Sequence, residues 1–192
     1  MILTSNDIKN TLQKYSNKNT KISRDAKSGK LIKLKNGLYE NNPNTKGYLL
    51  AGSIYGPSYL SFDFALAYHG LTPQKNIIYT SATCNQKKKK LYENNFGTYS
   101  YRDVPENVFS LGINKVKEEE YEFQIATPEK ALCDKLYTLN PIKNMKELTN
   151  VLLDDLEIDM DELISFNIED VKKIADLYHS TNVELFYRYM KK

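Results

Sequence analysis

Residues 3–39 read LTSNDIKNTLQKYSNKNTKISRDAKSGKLIKLKNGLY. Thr4 and Asp7, three apart, form a shortened capping box, and Leu3 is placed to staple onto Ile8. Ile8, Leu12 and Tyr15 recur at i, i+4 and i+7, which predicts a helix over residues 5–14 with those three as its core stripe. Asn17-Lys18-Asn19 breaks the pattern. A second helix is expected over residues 20–28, capped by Asn19 and stopped by Gly29. Ile22 and Ala26 are its inward positions. Thr20, Lys21, Ser23, Arg24, Lys27 and Ser28 are left to face out. Two short strands, 31–34 and 38–40, flank the turn Lys35-Asn36-Gly37. Helix, basic helix, basic hairpin is the order of a winged helix-turn-helix. A basic helix suits the major groove, and Lys33 and Lys35 on the hairpin suit the neighbouring backbone. The candidate DNA contacts are therefore Thr20, Lys21, Ser23, Arg24, Lys27, Lys33 and Lys35. The competing reading is a solvated face or a protein-interaction module. Charge and motif coincide here, which favours DNA.

The charge is unevenly spread. The net charge of +3 divides into three parts. Residues 1–46 hold 10 Lys/Arg against 3 Asp/Glu, residues 47–139 hold 10 of each, and residues 140–192 hold 7 against 11. A basic end and an acidic end point to two surfaces with different partners. A chain of 192 residues holds one domain or two small ones. The polar, turn-rich stretch 41–47 marks the expected boundary, with a DNA-binding module over 1–42 and a second domain over 47–192. No apolar run reaches membrane-spanning length and the first residues lack a signal-peptide pattern, so a cytosolic protein with no membrane partner is expected. Cys84 and Cys133 are then expected to be free thiols.

Beyond the boundary, apolar periodicity predicts helices over 48–55 and 61–69, the latter capped by Ser61 and ended by Gly70. Strands are expected over 77–83, 96–102, 109–113 and 121–126. In the second of these Tyr99 and Tyr101 share one face, opposite Phe96, Thr98 and Ser100. Thr127-Pro128 opens a core helix carrying Ala131, Leu132 and Leu136. Helices are expected over 145–156, 160–165, 168–179 and 183–190. The fold class is α+β: the N-terminal winged helix-turn-helix, then a mixed α/β domain with a helical C-terminus.

No catalytic residue, metal ligand or cofactor motif is identified. His69 and His179 each close a helix, where a cationic or hydrogen-bonding side chain suits the carbonyl end. Asp103 followed by Glu122-Phe123-Gln124 is the nearest approach to a metal-dependent nuclease, with Gln124 where a lysine is needed. The run Lys87, Lys88, Lys89 and Lys90 lies between two expected strands. With Arg102 it is a candidate second basic patch, for phosphate contact or simply for solubility.

A series of short motifs runs through the middle of the chain: Gly56-Pro57-Ser58-Tyr59-Leu60-Ser61, Ala65-Leu66-Ala67-Tyr68-His69-Gly70-Leu71-Thr72-Pro73, Ile78-Tyr79-Thr80-Ser81-Ala82-Thr83, the basic turn, Phe96-Gly97-Thr98-Tyr99-Ser100-Tyr101-Arg102, and Ala126-Thr127-Pro128-Glu129-Lys130-Ala131-Leu132-Cys133-Asp134. Behind a basic module ending Asn36-Gly37-Leu38-Tyr39, this series resembles the AbiEi family of antitoxins from type IV toxin–antitoxin and abortive-infection (phage-defence) systems, over residues 4–139. The resemblance implies a winged helix that binds inverted repeats in its own promoter as an autorepressor. It also implies a domain that counteracts a nucleotidyltransferase-like toxin, with direct contact left open, and no enzymatic activity. Lys21, Arg24 and Lys27 match the recognition helix, and Lys33 and Lys35 the wing. Glu129, Lys130 and Asp134 match the Pro-Glu-Lys-Ala-Leu helix, a candidate antitoxin motif. Family members carry a helix before the one near Ser5, for which residues 1–4 leave no room. The expectation is then either a module that lacks part of its three-helix core or one that borrows a helix from elsewhere, with the C-terminal segment as one source. The alternatives are a stand-alone winged-helix transcriptional regulator and, less favoured, the metal-dependent nuclease.

Overall fold

The structure, a computed structural model, describes residues 1–73 and 78–191. It is an α+β fold with two sheets among these residues. The N-terminal part runs β1 (Ile2–Thr4), α1 (Ser5–Thr11), α2 (Lys18–Lys27), β2 (Ile32–Lys35) and β3 (Leu38–Glu40). Its three strands are antiparallel in the order β1-β3-β2, with a register shift between Lys33 and Lys35. The capping box forms as the sequence predicts: the Thr4 hydroxyl accepts from the Asp7 amide, and Asp7 accepts from the Thr4 amide at 2.8 Å. α1 is shorter than expected, and Tyr15 is exposed instead of joining the core stripe. Ile8, Ile22 and Leu31 form a small core that Leu3, Leu12 and Tyr39 pack against.

A short helical stretch follows, a 3-10 turn (Gly47–Leu50) running into α3 (Ala51–Ile54). Then come β4 (Tyr59–Leu60), α4 (Phe62–Tyr68), β5 (Ile78–Thr83), β6 (Lys90–Asn94), β7 (Gly97–Asp103), α5 (Glu106–Phe109), β8 (Ile113–Glu118), β9 (Tyr121–Ala126) and α6 (Pro128–Tyr137). α7 (Met145–Asn150), α8 (Ile168–Tyr178) and α9 (Thr181–Met190) complete the chain. The second sheet is mixed, in the order β6-β7-β5-β4-β9-β8. The β5–β7 and β4–β9 pairs are parallel and the rest antiparallel. The start of the expected 77–83 strand, Ile77, lies outside the described residues.

Two expectations about strands need correction. Residues 109–113 are not a strand: α5 ends at Phe109, and the strand is β8, whose half-buried Ile113 and Val116 are three apart with Asn114 and Lys115 exposed between them. The lysine run does not close a hairpin between β5 and β7, because these two are parallel. It leads into β6, an edge strand whose polar composition hides it from an apolar search.

The alternation in β7 sorts its two faces as expected. Tyr99 and Tyr101 are fully buried and donate to the carbonyls of Gly47 (3.2 Å) and Ala51 (2.7 Å), so the 47–54 stretch covers that face. Gly47 has no room for a side chain: a Cβ there would sit 2.5 Å from the Phe96 carbonyl oxygen and 2.3 Å from the Tyr79 ring. α4 and α6 lie on the opposite face, and α8 and α9 pack on α6. The C-terminal helices therefore pack within the larger part. What meets the N-terminal hairpin is the 47–54 stretch and β6: Asn94 donates to the Leu34 carbonyl at 3.3 Å, and Leu34 and Leu38 join the main apolar core. Among the described residues no helix is long and apolar enough to cross a membrane.

Candidate nucleic-acid interface

α2 starts two residues earlier than expected. Asn17, not Asn19, is the cap, its side-chain oxygen accepting from the Thr20 amide at 3.1 Å. The helix ends at Lys27 with Ser28 as its C-cap, and Gly29 takes the left-handed conformation (φ +77°) that a residue after a helix end favours. Ile22 is its buried anchor, and Ala26 is only half-buried.

That anchor leaves Thr20, Ser23, Arg24 and Lys27 exposed. Thr20, Arg24 and Lys27 stand one helical turn apart and share a face. Lys21 departs from the expectation. Its ammonium lies 2.5 Å from the Asp25 carboxylate, four residues on, and 5.7 Å from the centre of the Tyr15 ring. The hydrogen bond that it donates to Asp25 raises its pKa above the ordinary lysine value. Its charge is partly spent within the module. The hairpin lysines also separate. Lys33 is exposed on β2, whereas Lys35 donates its ammonium to the carbonyl of Ile54 in the larger part. Arg24, Lys27 and Lys33 are thus the most available cations of the expected set, and Lys35 is a docking residue.

The second patch gains a member that sequence reading missed. Lys89, Arg102 and Lys135 line a cavity of about 160 Å³ together with Thr80 and Ser100. Lys135 lies on α6 and pairs with Asp63 at 2.6 Å. Lys87 and Lys88 are exposed and Lys90 is half-buried. The Lys87 amide donates to Asp103 at 2.7 Å, and Asp103 also accepts from Thr83 at 2.6 Å. Asp103 therefore orders the lysine loop. Glu122 is exposed on β9, three strand positions from β7 across the sheet, or roughly 14 Å at the usual strand spacing. The two carboxylates are not brought together. Among the described residues no group of three His, Cys, Asp or Glu could hold a metal ion. The His69 ring bonds the Ala126 carbonyl at 2.8 Å, not its own helix end, and His179 is the left-handed residue that closes α8.

The Pro-Glu-Lys-Ala-Leu helix, α6, is capped by Thr127 with Pro128 in its first turn, as expected. Its Lys130 and Asp134 are fully buried and bonded to each other. Tyr59 accepts from Lys130 at 2.8 Å and donates to Asp134 at 3.0 Å. Ser61 donates to Asp134 at 2.6 Å, so it does not cap α4 with its side chain. Tyr178, from α8, donates to Asp134 as well. The ammonium lies 5.3 Å and 5.1 Å from the centres of the Tyr59 and Tyr178 rings. Burial, reinforced by the Asp134 charge, pushes both phenols well above the usual tyrosine range, so they stay protonated and able to donate. The cluster ties β4, α6 and α8 together. Neither Lys130 nor Asp134 can touch a partner. Glu129, at the helix start, accepts from the Asn167 amide at 3.0 Å and holds the entry to α8. Of the two thiols, Cys133 is buried and Cys84 half-buried, and neither is in a disulfide.

Sequence reading also missed Glu40. It is fully buried, and its Oε1 accepts from the amides of Asn41 and Asn42 at 2.9 Å each. The Met1 amino group donates to the same oxygen at 2.5 Å and to the Tyr121 hydroxyl at 2.9 Å. Nothing local marks Glu40, since strand alternation alone would make it either face. Set against known families and curated proteins, the chain matches no family model and no curated relative.

Proposed function

We propose that this protein is a DNA-binding antitoxin of the AbiEi kind, with residues 1–42 as a winged helix-turn-helix and residues 47–192 as the antitoxin domain. The observation that carries the DNA-directed half is the exposed row Thr20, Arg24 and Lys27 on α2, a helix followed directly by a hairpin with exposed Lys33. The order β1-α1-α2-β2-β3 and the sheet order β1-β3-β2 support the winged-helix reading. On this reading α2 enters the major groove of inverted repeats in the protein's own promoter, and Lys33 contacts a phosphate.

The toxin-directed half rests on the motif series from Gly56 to Asp134. Those motifs build β4, α4, β5, β7 and α6, and the buried Lys130–Asp134 cluster sits where two of these, β4 and α6, meet α8. In this reading the cluster shapes the antitoxin domain and the toxin-opposing surface lies outside it. The protein has no enzymatic role. Co-expression with a nucleotidyltransferase-like toxin from an adjacent gene tests this half. Growth should be restored; continued arrest with folded protein present contradicts it. Rescue lost while promoter binding persists would favour the stand-alone regulator.

A further inference from the structure

The C-terminal segment carries a surface that neither half of this reading uses. After α7 the chain runs through a π-helical turn (Val151–Asp155) and a 3-10 turn (Glu162–Ser165) before α8. Leu152, Ile158, Leu163 and Phe166 turn inward and are buried. Ile164 turns outward and is 83 % exposed, and Ile168 is 40 % exposed. Between them lies a groove of about 290 Å³, floored by Leu163 and Phe166 and walled by Met160, Ile164, Ile168 and Met190. The Phe166 ring packs edge-on against Phe186 at 6.3 Å, which fixes the floor. One exposed isoleucine is ordinary, but an apolar groove with such a residue on its lip marks a contact surface.

The 154–170 side of the groove has one sign of charge, while the α9 side, which brings Tyr189 and Met190, is flanked by Arg188, paired with Glu184, and by Lys191. Eight Asp or Glu and no Lys or Arg lie between residues 154 and 170. Asp159 and Asp161 flank Met160, Glu162 precedes Leu163 and Glu169 follows Ile168, and all four are exposed. An apolar floor with an acidic rim on one side selects an occupant that is apolar along one stripe and cationic beside it. The same rim repels a phosphate backbone.

We propose that this groove docks an amphipathic helix of a partner protein, apolar on one face and flanked by Lys and Arg. The inference stands on the groove and its charge and does not depend on the DNA or toxin reading. The test uses the full chain and a labelled lysine–leucine peptide designed as an amphipathic helix. A scrambled peptide of the same composition is the control. The helical peptide should bind, the scrambled one should bind at least tenfold more weakly, and salt should weaken both. Ile164→Ser, at a position too exposed to matter for folding, should weaken the helical peptide by roughly tenfold, since it removes one side chain's burial. An Asp161→Asn/Glu162→Gln variant should flatten the salt dependence. Equal binding of the two peptides, an unaffected Ile164→Ser, or no binding at all overturns the proposal. Self-association of the full chain that Ile164→Ser abolishes overturns it as well, because the occupant is then a second copy.

Discussion

Lys33 and Lys35 stand two residues apart on one strand, yet the fold gives them different work. Lys33 remains in solvent, and Lys35 is bonded to the Ile54 carbonyl. In the DNA-binding reading, Lys33→Ala should weaken binding to all sequences alike and lower the salt slope by about one unit. Lys35→Ala should leave that slope unchanged and instead lower stability by about 1.5–3 kcal/mol, the usual range for a hydrogen bond to a charged group. Titrations at several salt concentrations and urea unfolding separate the two outcomes. Arg24→Ala should act differently again, relaxing sequence preference by about 1–3 kcal/mol if it reads a guanine edge. Lys130 tests burial: Lys130→Met leaves the Asp134 charge uncompensated in the interior and should cost about 3–5 kcal/mol of unfolding free energy. The i,i+4 spacing of Lys130 and Asp134 is plain in the sequence, where the two belong to a candidate antitoxin motif. Only the tertiary arrangement of Tyr59, Ser61 and Tyr178 around them shows that they form an interior cluster.

At the scale of elements, what the sequence shows is local and what it hides is pairing. The Thr4–Asp7 box, the Gly29 stop, the Thr127-Pro128 helix start and the Tyr99/Tyr101 alternation depend on neighbours a few residues away, and all form. β6 depends on β7: Lys90, Tyr92 and Asn94 are its half-buried side and Leu91 is exposed, so burial alternates along the strand while the apolar residues do not, and only Tyr92 packs on the core. The 109–113 stretch has short apolar content without length, so periodicity cannot assign it. The capping box also makes an acid prediction. Hydrogen bonds from the Thr4 hydroxyl and amide hold Asp7 below the ordinary value of 3.8. A carboxylate with a lowered folded pKa stabilises fully above its unfolded value and loses that contribution as pH falls through the folded one. The start of α1 should therefore hold at pH 5 and fray below about pH 3.8, and Thr4→Ala should remove that step. Amide hydrogen exchange of residues 5–11 as a function of pH reads it directly.

Across the whole molecule, the expected boundary at 41–47 divides the sequence, but the core crosses it. Leu34 and Leu38 share the large core, whereas Ile8, Ile22 and Leu31 keep their own. Asn94, Lys35 and the Met1 amino group bridge the two parts. The full chain should therefore unfold in one transition, and a fragment of residues 47–192 should fold with a lowered Tm because it loses Leu34 and Leu38. In the antitoxin reading that fragment still rescues growth. Two separated transitions in calorimetry would show instead that the parts are independent. The basic and acidic ends, by contrast, were legible from charge counts alone, because net charge by segment does not require knowing the fold.

The most direct test of the central claim is a titration of the full chain against its own upstream DNA, by fluorescence anisotropy, over a series of salt concentrations. The account predicts preferential binding to an inverted repeat, a log K that falls linearly with log salt, and loss of the preference in Arg24→Ala while Lys35→Ala keeps it. Absence of binding at low salt and micromolar protein, or equal binding of the unmodified chain to every sequence tried, would contradict it.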